Sequence, residues 1–279
     1  MNPIVSIEWL RERQNEPGLR IVDCRFWMGK PNTGREAYEE AHIPGAVYID
    51  LEKDLSAPVG KHGGRHPLPD PNSLAERLGQ LGIGNDSRIV AYDDQGGAMA
   101  SRFWWLLAYL GHDEVYLLDR GFAAWQEAGL PVQAGPAASA AAKRFKPAVR
   151  DGILASAEEV RGKLGQAGVV LVDSREAPRY RGESEPIDSV AGHIPGAINR
   201  FWGEGWRADG VWKSADEQAA RFAGLPVDDE IIVYCGSGVT ATPNVLALCQ
   251  AGFTRVKLYA GSWSDWISYE ENPIAVGEE

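Results

Sequence analysis

The chain repeats itself, and this constrains its fold more than any other feature of the sequence. Ile21-Val22-Asp23-Cys24-Arg25 returns as Leu171-Val172-Asp173-Ser174-Arg175, and His42-Ile43-Pro44-Gly45-Ala46 returns as His193-Ile194-Pro195-Gly196-Ala197. Ile89-Val90-Ala91-Tyr92 corresponds to Ile231-Ile232-Val233-Tyr234, and Gly121 with Trp125 to Gly261 with Trp266. Matches that recur in one order mark a tandem duplication. In a chain of 279 residues each copy has the size of one domain. We expect domains over 1–134 and 151–279. The linker expected over 135–150 opens with Gly135-Pro136-Ala137-Ala138-Ser139-Ala140, small residues with no apolar period.

Within a copy, short β-branched runs alternate with helical patterns. In the first copy the periodicity predicts helices over 7–13, 34–41, 74–81, 98–110 and 122–128, and strands over 20–24, 46–50, 88–92 and 115–118. The stretch 56–71, rich in Gly, Pro and His, reads as an irregular loop. The second copy repeats this order. Strands alternating with helices imply an α/β fold, each copy a mostly parallel sheet with helices on both faces.

The repeat is most informative where it breaks. In the second copy the apolar run Ile231-Ile232-Val233-Tyr234 ends at Cys235, and Gly236-Ser237-Gly238-Val239-Thr240-Ala241 follows. Thr242-Pro243-Asn244-Val245-Leu246 then opens a helix with proline early and Gly252 at its close. This places Cys235 at the carboxyl end of a strand, where open α/β sheets hold their ligands. A loop curling over the cysteine aims backbone N–H groups at its sulfur, and the helix N-terminus adds partial positive charge. Both favour thiolate over thiol, the form of a nucleophile. The alternative is a cysteine that merely packs, but flanking glycines and hydroxyl residues let a ligand approach the backbone. The first copy carries Asp93 in this place, followed by Asp94-Gln95-Gly96-Gly97. A carboxylate cannot carry sulfur and repels an anion, so we expect one active copy and one inactive copy.

Charge and cysteine count narrow the function classes. The net charge of −11 disfavours nucleic acid and anionic membrane as partners, and an anionic substrate would need a local basic site. No apolar run reaches the ~20 residues of a membrane span, and Met1-Asn2-Pro3-Ile4-Val5-Ser6 lacks the regions of a signal peptide. Three scattered cysteines form neither a disulfide framework nor a metal site. The expectation is a cytoplasmic protein without metal or cofactor.

The duplicated Asp-x-Arg and His-Ile-Pro-Gly-Ala segments, with a single Cys-Gly-Ser-Gly-Val-Thr-Ala loop in the second copy, resemble the tandem rhodanese family. The loop is closest to that of the 3-mercaptopyruvate sulfurtransferases; thiosulfate sulfurtransferases of this fold typically show basic residues where Gly236 and Ser237 stand. The resemblance implies two rhodanese-like domains. It also implies that Cys235 takes sulfur from a small anionic donor as a persulfide, then yields it to a thiol acceptor such as thioredoxin, or to cyanide. Ser237 falls at a proton-relaying serine, and His66 in Gly64-Arg65-His66-Pro67 matches its histidine partner. The third member falls at Glu52, with Asp50 two residues earlier. Arg179 matches the arginine that binds the substrate anion, and Gly236, Gly238, Val239 and Thr240 supply the loop. The family's second substrate arginine has no counterpart, since 183–190 holds no basic residue; Arg181 either takes its place or is a solvated surface arginine. Asp23 with Arg25, Asp173 with Arg175, and His42 with His193 occur in both copies and therefore read as structural. Trp202, Trp206 and Trp263 either line the mouth of the site or pack.

Three rival readings stand beside this one. Thiosulfate replaces mercaptopyruvate as donor in the first. The second is a noncatalytic rhodanese-like binding module. A cysteine phosphatase of related fold is the third; its loop needs an arginine six positions after the cysteine, and here that residue is Ala241.

Overall fold

The computed structural model describes residues 3–136 and 141–278. The described chain forms two compact units. The first comprises Met1–Ala57, Pro69–Arg150 and Ala208–Trp212; the second comprises Pro58–Leu68, Asp151–Arg207 and Lys213–Glu279. The stretch Pro58–Leu68, which the sequence places inside the first copy, thus belongs to the second unit.

In the first unit the strands are β1 (Ile4–Val5), β2 (Leu19–Asp23), β3 (Val47–Tyr48), β4 (Arg88–Tyr92) and β5 (Val115–Leu118). In the second they are β6 (Leu154–Ala155), β7 (Val169–Asp173), β8 (Ala197–Asn199), β9 (Glu230–Tyr234) and β10 (Val256–Tyr259). The sheet orders, β1-β5-β4-β2-β3 and β6-β10-β9-β7-β8, are the same pattern twice, with parallel neighbours throughout. Every residue of β9 is buried, and side chains alternate across a strand, so the sheet is covered on both faces. The expectation of an α/β fold in two like halves, each built on a parallel sheet, holds.

Helix starts follow their caps. Ser6 accepts the Trp9 N–H at the head of Ile7–Arg13, and Ser156 accepts the Glu159 N–H at the head of Ala157–Gly162, so the duplication extends to single hydrogen bonds. The helix expected from 74 begins earlier, at Pro71, because Asp70 caps it. The strand expected over 46–50 shrinks to Val47–Tyr48, since Asp50 turns the chain by accepting the N–H groups of Glu52 and Lys53. The two-residue strands β1 and β6 are too short to leave a periodic signal. Of the expected linker, 137–140 lies outside the described residues. The part from 141 to 150 has no helix or strand, yet it follows a fixed course over the first unit. Lys143 donates to Gly79, Ala148 to Leu110 and Arg150 to Tyr109, and Phe145 is buried.

Each unit has its own core. Trp125 and Tyr92 anchor the first, with Leu10, Ile21, Ile43 and Val90; Trp263, Trp266 and Tyr234 anchor the second, with Val160, Ile194 and Ile232. Beyond β7 the chain leaves for β8 on one side, and beyond β9 it leaves for β10 on the other. The carboxyl ends of β7 and β9 therefore flank the crevice where such sheets bind ligands.

Candidate active site

Cys235 stands at that crevice, directly after β9. Its N–H donates to Ser262 Oγ at 3.1 Å, and its carbonyl accepts the Trp263 N–H at 3.0 Å. The Gly236 carbonyl accepts the Ser264 N–H, so the head of the helix Ser262–Trp266 pins the first two loop residues. Gly238 has φ +75°, and a side chain there would collide with the Ala260 carbonyl, so only glycine allows the chain to turn back. The turn aims the Gly238 N–H at Cys235 Sγ, 3.2 Å away. One loop amide thus meets the sulfur directly, where the sequence implied several. Val239 is buried with its carbonyl held by the Thr242 hydroxyl at 2.7 Å, and Thr240 is half-buried. Cys235 itself is fully buried, but its neighbours are polar.

Those neighbours include two residues of the 58–68 stretch, which is folded into this unit. Gly63 donates to Asp265 at 2.6 Å, Arg65 donates through its backbone to Ser264 at 3.1 Å, and His62 bonds Ser268 at 2.7 Å while stacking on Tyr269. So tethered, His66 is buried with Nδ1 2.8 Å from Ser237 Oγ. The sequence-predicted pair is therefore in hydrogen-bond contact, adjacent to Cys235.

Arg179 follows β7 on the short helix Ala177–Tyr180. Its Nε and Nη2 bond Glu185 at 2.7–3.1 Å, and Nη2 also reaches Asp188 at 3.1 Å. A side chain on Gly236 would lie 3.5 and 3.7 Å from Arg179 Nη2 and Nη1, which puts this guanidinium against the residue after the cysteine. Arg181 is not brought there: it pairs with Glu183 and Glu278 and lines a separate surface cavity with Tyr180, Asn199 and Arg200. Glu52 lies in the first unit with an exposed side chain. The neighbouring Asp50 is buried, its carboxylate taken by Tyr48 and by the backbone of Glu52 and Lys53. Arg65, which sequence reasoning did not single out, also lies against the loop. A Gly236 side chain would stand 2.8 Å from its Nη2. Its only signal in the sequence was its place beside His66.

The repeated pairs are structural. Asp173 and Arg175 form a buried ion pair at 2.6 Å, and Arg175 Nη2 also holds the Gly192 carbonyl; Asp23 and Arg25 do the same at 2.7 Å, with the Ala41 carbonyl. His42 and His193 each stack on a tyrosine, Tyr38 and Tyr180, and bond that residue's carbonyl through Nδ1. Trp263 packs in the core beneath the Arg175 guanidinium. Trp202 and Trp206 form a half-buried edge-to-face pair.

In the first unit, Asp93 fills its own loop. One carboxylate oxygen accepts the N–H groups of Gln95 and Gly97 at 2.8 and 2.7 Å, the other those of Met99 and Ala100 at 2.8 and 2.9 Å. The amide cradle is thus closed around a built-in anion. Burial, with Asp93 and Asp23 nearby, pushes the Cys24 thiol well above its ordinary range, so this cysteine is no rival nucleophile. Among the described residues no cluster of His, Cys, Asp and Glu could hold a metal, and no helix is long and apolar enough to cross a membrane.

Known proteins resemble this chain over nearly its whole length. The rhodanese-like domain model matches residues 6–128 and again 156–269. A protein of Pseudomonas aeruginosa named as a probable 3-mercaptopyruvate sulfurtransferase is 47% identical, with 99% of this chain and 98% of that protein covered. A putative thiosulfate sulfurtransferase of Mycobacterium tuberculosis is 37% identical over 93% of this chain and 91% of its own length. The crystal structure of SseA from Escherichia coli, titled as a 3-mercaptopyruvate sulfotransferase, superposes with a TM-score of 0.82 at 34% identity, covering 95% of this chain and 100% of that one.

Proposed function

Since the chain belongs to the rhodanese-like domain family, we propose that it is a sulfurtransferase that draws sulfur from 3-mercaptopyruvate through a persulfide on Cys235. The observation that carries this reading is the sulfur facing the Gly238 N–H in a loop whose Ser237 is bonded to His66. The Cys235 thiolate attacks the donor sulfur and an S–S bond forms. The donor's C–S bond breaks, its electron pair passing to carbon as the enolate of pyruvate. The proton of the donor thiol travels by Ser237 and His66 to that carbon, releasing pyruvate. Arg179 binds the donor carboxylate. An acceptor thiolate, such as that of thioredoxin, or cyanide then takes the outer sulfur, and Cys235 leaves as thiolate. A reducing, cytoplasmic setting suits that chemistry. Support for an anionic persulfide also comes from the first unit, where the loop at the corresponding place in the repeat holds the Asp93 carboxylate with backbone N–H groups.

Cys235→Ser tests the reading. Transfer to cyanide should vanish with either donor, and turnover retained by the serine variant would rule out the persulfide. Thiosulfate as the main donor is the second reading, favoured by the Mycobacterium tuberculosis relative's name. The ratio of kcat/KM for the two donors on one preparation decides between them.

A further inference from the structure

The guanidinium groups of Arg65 and Arg179 meet over Gly236, and two carboxylates divide their nitrogens between them. Asp188 bonds Arg65 Nη1 through one oxygen and Arg179 Nη2 through the other, while Glu185 takes Nε and Nη2 of Arg179. Both carboxylates are buried, with side chains 4% and 3% exposed, so this arrangement is fixed from within. Among the described residues, Arg65 Nη2 and Nε and Arg179 Nη1 are left without a protein acceptor. A Gly236 side chain would stand 2.8 Å from Arg65 Nη2 and 3.7 Å from Arg179 Nη1. The unused donors of two cations therefore converge on one point, next to the nucleophile, and glycine keeps that point open. Burial pulls the Arg65 guanidinium down from its ordinary value, and charge on Cys235 opposes that pull, which places the two within electrostatic reach of each other.

We propose that Arg65 is the second anion-binding residue of this site, its Nη2 and Arg179 Nη1 together holding the donor's carboxylate beside Cys235. Asp188 and Glu185 act as positioning residues, holding Arg65 through Nη1 and Arg179 through Nε and Nη2. The inference rests on the proposed sulfur transfer for the identity of the donor, but not for the existence of the cation pair. It explains how a chain with no basic residue in 183–190 presents two cations to an anion: the second comes from the 58–68 stretch. Arg181, paired with Glu183 and Glu278, does not take part.

The test uses the full chain with Arg65→Gln, Arg65→Lys and the double variant Arg65→Gln/Asp188→Asn, the last leaving no carboxylate short of a partner. For 3-mercaptopyruvate, KM should rise about 10- to 100-fold in Arg65→Gln and in the double variant, the range of a charge-assisted hydrogen bond, with kcat within about threefold. Arg65→Lys should recover part of the loss. A KM unchanged in all three, or a fall in kcat at constant KM, would overturn the proposal, the latter by reducing Arg65 to a support of its loop. Alkylation of Cys235 by iodoacetate relative to neutral iodoacetamide reads the cations without any sulfur donor. That ratio should fall about tenfold in Arg65→Gln. A constant ratio, or no reaction with either reagent, counts against the pair. If the unmodified chain turned over no mercaptopyruvate while the ratio still fell, the donor assignment would fail and Arg65 would keep its role.

Discussion

The Ser237 hydroxyl and the His66 ring nitrogen, 2.8 Å apart, are separated by 171 positions in the sequence. If the pair relays the donor's proton, Ser237→Ala should lower kcat for mercaptopyruvate by about 10²-fold or more, the lower end of general acid–base contributions. Thiosulfate carries no thiol proton, so its kcat should move far less; equal losses for both donors would point to loop geometry instead. The position of Cys235 was legible because it follows a strand end, and strand ends announce themselves by β-branched runs; Ser237 and Arg179 came only from the family resemblance. Arg65 was not legible, because its role depends on a meeting with Gly236 and Asp188 that no local spacing encodes. Arg181 shows the converse: closeness to Arg179 in sequence suggests a shared task, but an exposed glutamate two positions on, Glu183, claims its guanidinium.

The two strand–loop–helix elements, β4 to helix Ala98–Tyr109 and β9 to helix Thr242–Gln250, hold opposite contents at the same place in the repeat. One presents a sulfur, the other a carboxylate already bonded to four amides. Asp93 therefore has a stability role that can be measured. Asp93→Ala leaves buried N–H groups without an acceptor and should destabilise the chain by about 1–3 kcal/mol or more. In urea the midpoint should fall with little change in slope; an unchanged midpoint would show that the first loop does not depend on its carboxylate. The expectation that Asp93 marks an inactive copy comes from the sequence, but its place as filler of the loop does not. Filling requires the loop amides to point inward, which only coordinates reveal. Elements of ordinary length were legible from periodicity and caps, whereas β1 and β6 fell below the length at which a period can appear.

Over the whole molecule the net charge of −11 opposes any anionic donor, and the site meets this with buried carboxylates that orient cations rather than with a basic surface. Half of that cation pair, and the histidine, come from the 58–68 stretch, which the linear domain boundary assigns to the other copy. Replacing 59–67 with a Gly-Ser segment of equal length should lower kcat/KM for mercaptopyruvate at least about 10²-fold with the far-UV circular dichroism retained. Turnover close to that of the unmodified chain would mean that neither Arg65 nor His66 serves the reaction. On this reading the gene cannot be cut between its repeats without cost, because residues encoded upstream are folded downstream. A duplication frees one sibling to drift or disappear only if the other stands alone; here the earlier sibling lends a segment to its twin's fold, so discarding it would take that segment too.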